Sequence, residues 1–384
     1  MDEREVVDGG RTQLAPITGA SLLLMAAGSA WPFTVGVLAP VLRIELDLSA
    51  SALGLAFSVF YLSGSIASRF VGGFVDRRGF RVGGWVLVAL AAGQAALLAG
   101  ARGWWLLALS GAVGGASMAM SNPVTNSLIA AAVTGRTARS VIGFKQAGVP
   151  LIAAFAGVVL PLVAGTLSWR GGVLVVIVVP AAGALLLGLV RARPREATVP
   201  DVRPSRRRLG LERFVLFMGM IAAGFNGYLA LYLVDVFDGS VQRAGSLVAT
   251  FALSGVVGRI LWAIVGGGRR TLPILRSLGA GGAVALAMIA LAGFEWGVWV
   301  GVVLAGLTVM AWQGLGMLTV VELDRGGTVG AASGRLMVRF YFGFVFGAPL
   351  TGAVIDAVGF RAAWLLLCAA ACAAALTLTR PDPA

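Results

Sequence analysis

Histidine is absent from this chain, which removes the usual metal ligand and the usual proton carrier at neutral pH. Neither HExxH nor a Walker-type GxxxxGKS/T occurs, so zinc hydrolysis and ATP-driven pumping have no motif to rest on. Cysteine is confined to Cys368 and Cys372, four apart in the last apolar run, where on a helix they share one face and read as packing residues. Lysine occurs once, at Lys145; the other 29 of the 30 basic residues are arginine. Carboxylates are scarce, and Asp76, Asp235, Asp238, Glu295, Glu322, Asp324 and Asp356 all fall at the ends of apolar runs or in loops. The reading is therefore of no bound metal, no cofactor and no enzyme.

What is there is apolar surface. Of the 384 residues 58% are hydrophobic and 12% charged, the mean hydropathy is +0.91, and glycine occurs 55 times. A soluble domain cannot hide that much apolar surface, whereas lipid demands it. The net charge of +13 does not point to nucleic acid, because the basic residues lie between apolar runs rather than on one polar face or tail. The opening MDEREVVDGGR is acidic and polar, so no cleaved signal peptide is expected and the first run reads as a retained helix.

Runs long enough to cross a bilayer fall at roughly 17–41, 52–73, 82–101, 104–132, 139–165 and 171–190, then at 213–237, 245–266, 272–293, 296–321, 329–355 and 361–379. The expected architecture is all-α, with twelve membrane-spanning helices in two pseudo-symmetric six-helix bundles, 1–190 and 213–384. They are joined by an Arg- and Pro-rich linker, 191–212. With the amino terminus inside, only Arg43, Arg102, Arg170, Arg243 and Arg361 face outward, so both termini are expected on the cytoplasmic side of the cell membrane. An internal repeat supports two halves: MAAGSAWP at 25–32 is similar to MIAAGFNGY at 220–228, and LSGSIASRF at 62–70 to LSGVVGRIL at 253–261. Repeated halves of this kind place a solute site at their interface near the midplane.

After the second run comes GGFVDRRGFRVGG, residues 72–84. Gly72, Asp76, Arg77, Gly79 and Arg81 resemble the loop signature of the major facilitator superfamily, with Phe80 where that family usually has Arg. The resemblance implies its fold, rocking of two bundles around a central site, and secondary transport. It also implies a gating role: Gly72 for close helix approach, and Asp76 set against the positive end of the eleventh helix, with Arg335 as a further partner. The counterpart GGGRR at 266–270 lacks the Asp. In the LSG alignment Ser68, not Arg69, is the twin of Arg259, and Arg69 shares a stripe with Gly72 and Asp76.

Charges deep in a span are the first candidates for a site. Arg259 lies about 12 Å from the cytoplasmic end of its run, and GRILWAIV resembles the eighth span of the superfamily's anion-handling branches (nitrate, cyanate and oxalate or monocarboxylate carriers). Lys145 lies about 9 Å inside Arg139; either it snorkels, or an ammonium that can exchange its proton is wanted where a permanent guanidinium would not serve. GFKQAGVP, around it, resembles a segment of the cyanate-carrier-like branch. By spacing, SVIGFK against GRLMVR, Lys145 corresponds to Arg339, so three cations are expected at one cavity. Asn122, Thr125 and Asn126 beside Pro123, together with Gln146, Asn226, Tyr228, Gln313, Trp31 and Trp312, complete the candidate lining.

Three cations without a carboxylate point to a small anionic solute moved by a monomer in a lipid bilayer. Two rivals stay open: a multidrug or metabolite exporter of the same superfamily, and a non-transporting membrane sensor on the same fold.

Overall fold

The computed structural model describes residues 3–133, 135–191, 209–266, 271–323 and 329–378, and among them there are helices and no strand. The first expected span is α1 (Glu3–Gly28) and α2 (Ala30–Glu45), bent by 47° at Ser29. Pro32 sits in the first turn of α2, where its missing N–H costs nothing, so the chain bends just before it.

Next comes α3 (Ala50–Ala99), whose 50 residues amount to about 75 Å, more than two bilayer cores. It is two spans, divided at Gly79, where φ is 81°. That backbone is left-handed, and only glycine adopts it without a Cβ clash. The rest of the first half is α4 (Trp104–Ala132), α5 (Gly135–Lys145), α6 (Gly148–Thr166), α7 (Trp169–Val175) and α8 (Val178–Leu189).

The second half runs through α9 (Leu209–Phe237), α10 (Val241–Gly266), α11 (Thr271–Leu291), α12 (Glu295–Ala305), a π-helical turn at Gly306–Met310, α13 (Trp312–Leu323), α14 (Val329–Val358) and α15 (Phe360–Thr377). Among the described residues nine helical stretches are long and apolar enough to cross a membrane, ten with the bent pair α1–α2. Dividing α3 at Gly79 and adding α4, whose Gly, Ser and Asn dilute its hydropathy, reaches the expected twelve.

The internal repeat is written into the backbone. Asp47 and Asp238, 191 apart, both take φ 50°, a left-handed conformation that aspartate tolerates. The helix-opening residues Gly103 and Phe294, then Ser168 and Gly359, keep the same separation. This register corrects one pairing made by spacing alone. It sets Lys145 against Leu336, and Arg339 against Gly148, so Lys145 and Arg339 are not twins.

The helices form two compact units. Unit one holds residues up to Thr34 and Leu62–Val199, with α1 packed on α4, α6 and α8. Unit two holds Pro200–Ala384 together with Val35–Tyr61, so the ends of spans one and two belong by contact to the second half. Within unit two α9 lies along α14, backbone to backbone: a Cβ on Gly343 would come within 2.2 Å of the Leu216 carbonyl.

Candidate functional site

Unit one carries the lone lysine. Span five breaks between α5 and α6 because Pro150 brings no N–H to the Gln146 carbonyl and crowds it. The break leaves Lys145 as the last residue of α5, with none of its surface exposed. Its Nζ donates to Asn122 Oδ1 at 3.2 Å, Thr125 Oγ1 at 2.7 Å and Asn126 Oδ1 at 2.6 Å. These acceptors stand at i, i+3 and i+4 on one face of α4, so a single helical turn matches the three donors of an ammonium. Thr125 passes its own proton to the Ser121 carbonyl at 2.6 Å, leaving its oxygen lone pairs for the lysine. All three acceptors are neutral, and among the described residues no carboxylate pairs with Lys145. Gln146 is exposed and donates weakly to Asn122 Oδ1 at 3.4 Å.

Unit two carries a second polar centre. Arg259 of α10, half-buried, donates from Nε to the Met310 carbonyl at 3.2 Å and from Nη2 to Gln313 Oε1 at 2.8 Å. The π-helical turn makes this possible, because an inserted residue loosens the i→i−4 ladder and frees carbonyls for side-chain donors. Trp262 uses the same opening, donating to the Leu307 carbonyl at 2.8 Å. Trp312 beside Gln313 is fully buried, edge-on to Phe214 and Phe340. Arg259 and Gln313 are thus brought together.

Other candidates have different duties. Arg339 does not stand as an uncompensated cation: its Nε meets Glu212 Oε2 at 3.3 Å, and the Glu212 side chain is only 7% exposed. Sequence reasoning put Glu212 in the linker, but α9 begins at Leu209, so this carboxylate lies inside a helix and buried. The separation of Glu212 and Arg339 hid their pairing. Trp31 is buried and donates from Nε1 to Ser110 Oγ at 2.9 Å, a packing role. Tyr228 is also buried, its hydroxyl 2.9 Å from the Ala50 carbonyl and 2.8 Å from that of Ala348, where it ties α3 to α14. Asn226 meets the Tyr61 hydroxyl, and its carbonyl faces Gly36.

The loop motif divides likewise. Gly79 supplies the left-handed turn, and Arg81 donates to the Val190 carbonyl. A Cβ on Gly72 would touch none of the described residues within 4 Å. Asp76 and Arg77 are exposed, and Asp76 bonds to none of the described residues. The side chain of Arg335, like Asp324 and the basic pair 269–270, lies outside the described part.

The family model described as Major Facilitator Superfamily matches residues 19–338. Among solved structures, a bacterial homolog to the human lysosomal transporter Spinster, in an inward-facing and occupied conformation, superposes with a TM-score of 0.74 at 17% identity. That match covers 97% of this chain and 98% of the homolog. A point mutant of the nucleoside transporter NupG superposes with a TM-score of 0.79 at 13% identity, covering 95% of this chain and 98% of the transporter. At such identities the likeness is one of fold. No curated protein matches the sequence.

Proposed function

The chain belongs to the Major Facilitator Superfamily, and from that premise we propose that this multi-pass membrane transporter carries a small anionic solute by alternating access. The cell membrane is its expected site, with both termini inside, as the arginine distribution favours. The observation that carries the substrate class is Lys145. An ammonium removed from water costs several kcal/mol unless compensated, and among the described residues three neutral oxygens are what compensates it. Those oxygens solvate the charge without cancelling it, and an incoming anion supplies what they lack. Arg259, oriented by Gln313 and the Met310 carbonyl, is the candidate anion-facing cation of unit two.

The test is a thermal-shift titration of the purified protein with nitrate, cyanate, acetate and oxalate. Uridine is included because NupG is a nucleoside transporter, and tetraethylammonium as a cation of the kind a drug exporter takes. The expected result is saturable stabilisation by at least one anion and by neither of the others, lost in Lys145→Met. Stabilisation by uridine or tetraethylammonium alone would replace the anion reading.

A further inference from the structure

The segment Val35–Tyr61 comes from the first half of the sequence yet belongs to unit two, and a ladder along α3 and α14 holds it there. Ala50, Gly54, Ser58 and Tyr61 recur at helical spacing on α3. Gly54 and Gly352 leave no room for a Cβ against the backbone of the opposite helix. Ser58 Oγ donates to the Val345 carbonyl at 2.6 Å, and Tyr61 stacks on Tyr341 and Phe344. At the top, Asp356 of α14 caps the amino end of α3: Oδ1 accepts from Ala50 N at 2.9 Å, and Oδ2 from Ser51 N at 2.8 Å and from Ser51 Oγ at 2.5 Å. A carboxylate at a helix amino end satisfies otherwise unmatched N–H groups and the positive end of the dipole.

We infer that Asp356 is a latch closing the outer end of the transport path, at the end of the span-two and span-eleven pair opposite to Asp76. This does not depend on which solute is carried. The repeat register supplies the second observation. The position equivalent to Asp356 in the first half is Gly165, and that equivalent to Asp76 in the second half is Gly267. The chain thus puts carboxylates at these two positions of one helix pair, two to eleven, and glycines at the equivalent positions of its symmetry mate, five to eight. In this structure the Asp356 cap is made while Asp76 bonds to no described residue. Asp356 holds the outer end shut, and its release accompanies outward opening. Arg43, whose Nη1 lies 2.8 Å from Asp235 Oδ2, fastens the neighbouring ends of α2 and α9.

Spin labels at Ile44→Cys and Val358→Cys, both exposed, report the outer separation in a background of Cys368→Ala and Cys372→Ala. Asp356→Asn keeps the size of the side chain but loses the charge, and should raise the long-distance population about fivefold. Ser51→Ala, which removes one of the bonds, should raise it less. Asp47→Asn, at a nearby exposed acid that bonds to no described residue, should leave it unchanged. An unchanged distribution in Asp356→Asn would overturn the latch. So would an equal shift in Asp47→Asn, because outer negative charge in general would then be the cause.

Discussion

Lys145 and Arg339 look alike in sequence, each a basic residue some turns inside an apolar run, and the structure treats them oppositely. Lys145 is wholly buried among three neutral oxygens of α4. Arg339 is partly exposed and meets a buried carboxylate carried by α9. One charge is solvated and still demands a counter-ion; the other is already balanced. Depth in the membrane therefore does not identify a site. What identifies it is depth combined with the charge state of the neighbours.

The largest expected effect is at Lys145. Lys145→Met should reduce anion uptake in proteoliposomes by about 100-fold or more, since losing the partner of a buried ion costs roughly 3 kcal/mol. Lys145→Arg sharpens the point. If the lysine exchanges its proton as the empty carrier returns, the arginine variant keeps ligand-induced stabilisation and exchange but loses most net uptake, because guanidinium stays protonated. Equal net uptake by the two proteins from pH 6 to 8 would reduce Lys145 to a fixed charge.

Arg339 should respond differently. Arg339→Met strands Glu212 in the α9–α14 interface and should cost about 1–2 kcal/mol, the exposed side of the arginine limiting the loss. The double variant Glu212→Gln/Arg339→Met should recover most of it in a denaturation series. Anion uptake per folded molecule should fall less than tenfold in both. Uptake lost in the double variant despite restored stability would place Arg339 at the site after all. The smallest effect is at Trp31: Trp31→Phe loses one buried hydrogen bond, about 1 kcal/mol, with uptake within twofold of wild type.

Much of this molecule is legible in its sequence because lipid imposes simple rules. Apolar run length gives the spans, whereas the bend before Pro32, the break before Pro150 and the left-handed turn at Gly79 are seen only in the structure. The Lys145 cradle is nearly local in origin, built from one turn of α4 beside the break in span five, and Asn122, Thr125 and Asn126 were visible as a polar group in an apolar run. What resisted reading depends on how distant helices register. Glu212 is inside α9 only because that helix begins at Leu209, and its partner stands on α14. Tyr228 has the composition of a site residue, but the position of its ring relative to Ala50 and Ala348 makes it a tie between helices. The repeat, fixed by the caps at a separation of 191, also shows why matching SVIGFK with GRLMVR misaligned the two cations.

The comparison is tested most directly by giving Lys145 what Arg339 has. Asn126 Oδ1 lies 2.6 Å from Nζ on an exposed residue, so Asn126→Asp installs a carboxylate of the same shape in contact with the ammonium. Isothermal titration of wild type and variant with the most strongly stabilising anion, beside their ligand-free melting temperatures, decides the matter. The account predicts that Asn126→Asp melts no lower than wild type and loses anion binding. Undiminished anion affinity in a variant whose lysine already has its counter-charge would contradict it.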